Sequence, residues 1–138
     1  MREIELIEKT KIQTALLHTK RQYLVGELSL PQELNYLHDE NVEAGITEYK
    51  EYTIEEPHYH KNTTEYIYVL EGESKYINVE TQKETIVKKG DFFLIRSGIT
   101  YAQKSKAGLK LVFFKYPSGN DKVPVQDDGS LENWYKAW

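Results

Sequence analysis

Cysteine is absent from the 138-residue chain. Without a thiol there is no disulfide framework, no thiolate zinc site, no iron–sulfur cluster and no cysteine nucleophile, so any metal must be held by nitrogen and oxygen. Long apolar runs are also missing. The longest, Phe92-Phe93-Leu94-Ile95 and Leu111-Val112-Phe113-Phe114, fall far short of the roughly 20 residues of a membrane-spanning helix, and no membrane association is expected. The opening Met-Arg-Glu-Ile-Glu-Leu-Ile-Glu-Lys interleaves charge with apolar residues; it has no continuous apolar segment of the secretory type, and a cytoplasmic location is expected. Neither sign of charge dominates. A formal net charge of −4 with scattered basic residues leaves no footprint for a phosphate backbone, and nucleic acid is not an expected partner.

What the chain does have is 11 tyrosines, 4 histidines and a dense set of short β-type runs. One domain over residues 1–138 is expected, because two halves would each be marginal in core size. From residue 42 to 116 the runs are separated by turn signals. Val42, Ala44 and Ile46 alternate with Glu43, Gly45 and Thr47. Tyr66–Leu70 stops at Glu71-Gly72-Glu73, Lys75–Val79 follows, and Thr85–Val87 ends at Lys88-Lys89-Gly90-Asp91. Phe92–Ile95, Thr100–Lys104 and Leu109–Tyr116 complete the series. Aromatic and β-branched residues at this spacing predict an all-β sandwich or barrel. Strands are also expected over 12–18 and 22–30, the second stopped by Pro31. Two tryptophans among the last five residues predict that the tail, 117–138, docks on the barrel or on a neighbouring subunit.

Chemistry is concentrated at His58-Tyr59-His60, followed by Glu65. On an extended chain residues i and i+2 share a face, so both imidazoles converge, while Glu65 heads the apolar face of Ile67 and Val69. A carboxylate there needs a partner, since burying it alone is costly. Two imidazoles and a carboxylate around a divalent metal ion would satisfy it. His18 and His38 have no partner pattern and read as surface residues. Asn62-Thr63-Thr64 reads as a hairpin loop, and Gly72, Gly90 and Gly98 as turn positions.

These residues resemble the cupin superfamily. Its first motif, His-x-His, three or four residues, Glu, six residues, Gly, is matched by His58, His60, Glu65 and Gly72. The family's glycine shortly before the first histidine is missing: position 52 is Tyr, and the nearest glycine is Gly45. Of the second motif, Gly90 and Gly98 match, whereas Arg96, Tyr101 and Ser105 replace its Pro, His and Asn. The resemblance covers 42–116 and implies a double-stranded β-helix, the jelly-roll barrel of cupins, with a divalent metal ion (Zn, Fe, Mn or Ni) on His58, His60 and Glu65. It also implies a homodimer.

Tyr101 stands where the family places a third histidine ligand. Three roles are open to it: direct ligation, hydrogen bonding and acid/base work on a bound water or substrate, or a purely polar role in a metal-free site. Glu56 is a second acid/base candidate. Gln103, on the Tyr101 face, and Arg96, near the expected mouth, are candidates for contact with a ligand. The function expected is action on a small polar molecule, a sugar or sugar derivative, by isomerisation or epimerisation. A barrel that binds a ligand without turning it over, and a non-heme iron dioxygenase, are the alternatives.

Overall fold

The computed structural model describes residues 3–138. A helix, α1 (Lys9–His18), precedes strands β1 (Arg21–Gly26), β2 (Leu37–His38), β3 (Glu43–Glu48), β4 (Thr53–His60), β5 (Thr64–Glu71) and β6 (Glu73–Asn78). Then come β7 (Glu84–Lys88), β8 (Phe92–Ile95), β9 (Tyr101–Ser105), β10 (Lys110–Tyr116), β11 (Lys122–Pro124) and a short helix, α2 (Glu132–Lys136). Strands in the order β2-β1-β3-β10-β5-β8 make a six-stranded sheet, and β11-β4-β9-β6-β7 a five-stranded one. The two sheets form the jelly roll, or double-stranded β-helix, that the strand pattern predicted.

Period-two patterning decides what each sheet presents to the interior. On β5, Ile67 and Val69 are buried and pack with Tyr49, Val87, Leu109, Leu111 and Phe113 in one core cluster, while Tyr68 faces out. Each fully buried aliphatic or aromatic side chain in such a cluster contributes about 1.5–3 kcal/mol. Gly72, between β5 and β6, has φ +80°, and a Cβ there would lie 2.8 Å from Leu109 Cα. The turn thus admits only glycine, and the absent side chain is what lets the fully buried Leu109 close this end of the core.

At the N-terminus the expectation is corrected. Residues 12–18 belong to α1, not to a strand. Ile12, Ala15 and Leu16 have i, i+3, i+4 spacing, and the helix buries Ala15 and Leu16, so the 3.6-residue period wins over the β-propensity of the segment. The following strand ends at Gly26, and residues 27–30 leave the sheet before Pro31.

The tail docks on the outer face of the five-stranded sheet. Leu131 and Tyr135 cluster with Ile77 and Ala102, residues paired across β6 and β9. Lys104, also on that face, is buried beneath the tail, donating from Nζ to the carbonyls of Trp134 and Ala137 at 2.6 Å each, with the Trp134 ring 4.4 Å away. The outer face of the six-stranded sheet differs: Tyr68, Phe92, Leu94, Phe114 and Tyr116 remain exposed. Among the described residues no helix is long and apolar enough to cross a membrane.

Candidate functional site

The barrel encloses a cavity of about 790 Å³ whose wall includes His58, His60, Glu65, Tyr101 and Gln103. Strand β4 supplies both histidines and β9 supplies Tyr101 and Gln103, with His58 directly opposite Tyr101. Glu65 comes from β5 in the other sheet, so the site draws on both walls of the barrel. The spacing-based expectation that the two imidazoles and Glu65 share one interior holds in this arrangement.

One residue is replaced by its neighbour. Alternation from His58 would turn Glu56 inward, but β4 carries a bulge: Glu55 opposes Gln103 and His58 opposes Tyr101, so three steps on β4 match two on β9. The extra residue inverts the pattern upstream of His58. Glu55 lines the cavity, and Glu56 is exposed on the outside. Pro57 is the sequence signal for this, since a proline inside a strand marks an edge or a bulge. Arg96 is likewise exposed in the turn after β8 and does not line the cavity. His38 is an exposed partner of Glu27, and His18 stands exposed at the cavity rim, paired with Glu33.

Each interior group is held by a second oxygen. His58 Nδ1 donates to the Glu56 carbonyl at 3.0 Å, which leaves Nε2 facing Glu55 Oε1 at 3.1 Å. Burial lowers the pKa of His58, against the opposing pull of Glu55. His60 Nδ1 donates to Asp121 Oδ1 at 2.8 Å. Its Nε2 has no protein partner; as no buried side-chain nitrogen or oxygen goes unpaired among the described residues, that atom is open to the cavity. Tyr101 donates its hydroxyl to Glu65 Oε2 at 3.1 Å. Burial, reinforced by the charges of Glu65 and Glu55, pushes the Tyr101 phenol well above the ordinary tyrosine pKa, so it keeps its proton. Gln103 Nε2 donates among Ser74, Tyr76 and Ser105 at 2.9–3.2 Å, fixing its amide at the wall.

Asp121 is the residue that spacing alone misses. It lies immediately before β11, which pairs with β4, and its Oδ2 also accepts from the backbone N–H groups of Asn62 and Thr63 at 2.8 Å each. Burial works to raise its pKa, but the Asn62 N–H, the His60 ring and the Thr63 N–H outweigh it and hold the carboxyl down at about 2. Arg21, donating from Nε to Thr47 Oγ1 at 2.9 Å, adds a cation to the same cavity wall.

Among the described residues no three His, Asp or Glu side chains already stand together as a metal-binding group. Both imidazoles have Nδ1 tied to an oxygen acceptor and Glu65 accepts a hydrogen bond from Tyr101, which is how outer partners orient metal-ligating His and carboxylate groups.

A family model described as a cupin domain matches residues 45–112. Residues 45–112 are thus a cupin domain, and the strand topology is that of a double-stranded β-helix. Solved structures agree on the fold. KdgF from Halomonas sp. is 14% identical over 73% of this chain and 80% of its own, with a TM-score of 0.56. An uncharacterised double-stranded β-helix protein from Klebsiella pneumoniae is 16% identical over 63% of this chain and 76% of its own, with a TM-score of 0.52. Pac13, a nucleoside dehydratase, is 12% identical over 64% of this chain and 71% of its own, with a TM-score of 0.54; a Streptomyces variant of it is solved with uridine. No curated protein matches the chain by sequence.

Proposed function

We propose that the barrel is an enzyme that moves a proton on a small polyhydroxylated molecule, a sugar or sugar derivative, as an isomerase or epimerase, beside a divalent cation held by His58, His60 and Glu65. The observation that carries this reading is that each of these three side chains has its own outer partner: the Glu56 carbonyl, Asp121 and Tyr101. A cation there would supply Lewis-acid polarisation of a substrate oxygen. The chain's own residues do the rest. The cavity, about 790 Å³, lies in the range of small-molecule sites. Tyr76, Gln103 and Arg21 offer donors and acceptors to hydroxyl groups along its wall. Tyr101, buried and protonated against Glu65, is the group that gives a proton to a substrate oxygen or takes part in its relay to the carboxylate. Pac13 carries out a nucleoside dehydration on the same type of barrel; that likeness is one of fold and lends no residue to the argument.

Tyr101→Phe tests this reading. With sugars and sugar nucleotides screened by ligand-observed NMR in deuterated water, the wild type is expected to bind a member of the set and to exchange one of its C–H protons for solvent deuterium. The variant should bind within about threefold of wild type but exchange about 10²–10⁴ times more slowly, the usual weight of an acid/base group. Binding with no exchange by the wild type would leave a barrel that holds its ligand without turning it over, the reading favoured by the loss of the third family histidine at Tyr101.

We also propose a homodimer formed on the exposed outer face of the six-stranded sheet. Register aligns Tyr66 with Phe114 and Leu94, and Tyr68 with Phe92, across three neighbouring strands, giving a contiguous apolar surface of the kind that marks an interface. Light scattering at micromolar concentration should report a dimer that Phe92→Glu dissociates; a monomeric wild type overturns it.

A further inference from the structure

Lys115 is a charged cavity residue with no part in the proton transfer proposed above. Two residues beyond Phe113 on β10, it shares that ring's inward face and lines the cavity. Register places it between Glu43 of β3 and Glu65 of β5, and a lysine so flanked would ordinarily form a cross-strand ion pair. It forms none among the described residues. Glu65 is turned to the Tyr101 hydroxyl instead. Lys115 Nζ leans over the aromatic wall, 5.2 Å from the centroid of the Phe113 ring and 5.6 Å from that of Tyr23. Its protein acceptor there is the Tyr23 hydroxyl at 3.4 Å, too long to be strong. An ammonium has three donors, so the others face the cavity.

Arg21 approaches the same ring from β1, its guanidinium 5.5 Å from the Phe113 centroid. Thr47 takes its Nε–H at 2.9 Å, and the Tyr49 hydroxyl takes one terminal N–H at 3.4 Å. Glu55 is 3.9 Å away, an ion pair beyond hydrogen-bond length. No side-chain nitrogen among the described residues is both buried and unpaired, so the other terminal nitrogen of Arg21 is accessible from the cavity. An aromatic face steadies a cation without neutralising it. The remaining charges nearby are engaged elsewhere: Lys122 stands beside Glu55 at 3.7 Å, and Asp121 holds His60 and two backbone N–H groups. Lys115 and Arg21 are thus the cavity cations with donors to spare, gathered at one ring.

We propose that Lys115 and Arg21 form an anion subsite, and that the polyhydroxylated ligand carries an ionised oxygen group, a carboxylate or a phosphate, that seats on it. Lys115 makes the main contact and Arg21 the second. The subsite adjoins the proton-transfer group: Lys115 and Glu65 are directly opposed on β10 and β5, cross-strand neighbours have Cβ atoms about 4.5–5.5 Å apart, and Glu65 accepts from Tyr101. A group bound at Lys115 is therefore a few bonds from a ligand oxygen at Tyr101. That selects a small polyol whose charge sits on or beside its carbon chain over the neutral sugar.

This inference rests on the reading of the ligand as a polyol and names its charge. Three probes with one carbon chain, glucitol, gluconate and glucitol 6-phosphate, are titrated into the full-length chain by calorimetry, for wild type, Lys115→Met, Lys115→Arg and Lys110→Met. Wild type should bind at least one anionic probe about tenfold or more tighter than glucitol, and the tighter of the two identifies the group as carboxylate or phosphate. Lys115→Met should reduce that preference to about threefold or less, and Lys115→Arg should keep most of it. Lys110→Met removes the same charge from the same strand, beside Glu48 and away from the cavity wall; its preference should match wild type, which separates a contact from net charge. Wild type binding neither anion more tightly than glucitol, or equal preference in Lys115→Met and Lys110→Met, overturns the subsite. Deuterium exchange decides the other reading independently. Charge preference without exchange keeps the subsite and removes the enzyme, whereas exchange in a neutral sugar with no charge preference does the reverse. Melting temperatures of the variants within a few degrees of wild type exclude misfolding as the cause of lost affinity.

Discussion

Replacing Asp121 with alanine is expected to lower stability by about 3 kcal/mol and the melting temperature by about 10 °C. The size follows from what the side chain does. One oxygen accepts from His60 and the other from the Asn62 and Thr63 N–H groups, and hydrogen bonds to a charged acceptor contribute about 1.5–3 kcal/mol each. Partial rehydration of the exposed Asn62 end sets the total below their sum. Asp121→Asn separates fold from site. Its carbonyl oxygen can keep the two backbone donors, but its amide then faces His60 Nδ1 with a donor, which moves the ring proton to Nε2. The expected result is a modest loss of stability with a large loss of cation or ligand affinity, read by calorimetry on the folded variant, and an Nε2-protonated His60 in its ¹⁵N spectrum. Equal affinity in Asp121→Asn and wild type would show that the carboxylate holds only the loop.

The same group predicts an acid limb. The folded-state pKa of Asp121, about 2, lies below its ordinary value of 3.8, so the folded state resists protonation more than the unfolded chain does. Its contribution is fully present above about pH 4 and is lost as pH falls through 2, amounting to about 2 kcal/mol. The side chain is only 12% exposed, which limits solvent screening. Unfolding followed between pH 5 and 2 should show a steeper loss in wild type than in Asp121→Asn.

Much of this site was legible because it obeys local rules. His58 and His60 are two residues apart on a strand, and Glu65 leads a strand whose inward residues Ile67 and Val69 are plainly apolar, so period two places all three. The barrel was legible for the same reason: β-branched and aromatic runs punctuated by Gly72, Gly90 and Gly98 leave few other ways to bury a core. Alternation fails where a bulge breaks it, and Glu56 and Glu55 exchange places for that reason. Pro57 carried the warning. Asp121 was hidden differently, since it reaches His60 from 61 residues away through pairing of a three-residue strand that no local pattern announces. At the other end of the chain, helix α1 competes with a β-type composition, and the spacing of Ile12, Ala15 and Leu16 decides the outcome. Arg96 was placed at the mouth by its motif position, but its turn faces solvent.

Gly45→Ala is expected to cost about 3 kcal/mol or more, although it adds a single methyl group. Gly45 lies on β3 directly between Tyr23 of β1 and Phe113 of β10, and those two rings meet edge-on above it at 5.4 Å. The missing side chain is what allows cross-strand aromatics to close over a glycine. A Cβ would stand 2.4 Å from Phe113 Cζ and 2.7 Å from the Gln22 carbonyl oxygen. The first contact is with a buried ring and the second with the backbone of a paired strand, so neither yields without moving the sheet or driving Phe113 from its rotamer; overpacking of this kind costs about 1–3 kcal/mol and occasionally more. Phe113 also forms part of the cavity wall and lies 5.5 Å from the Arg21 guanidinium and 5.2 Å from Lys115 Nζ. A displaced ring would therefore narrow the cavity and disturb the cations beside it, so ligand affinity should fall together with stability. Phe113→Leu in the same chain removes the clashing ring edge. Thermal unfolding of both single variants and the double variant should give a favourable coupling of about 1–3 kcal/mol. Additive losses would place the cost at the Gln22 carbonyl, in the spacing of β1 and β3, and the ligand affinity of the double variant would then stay low.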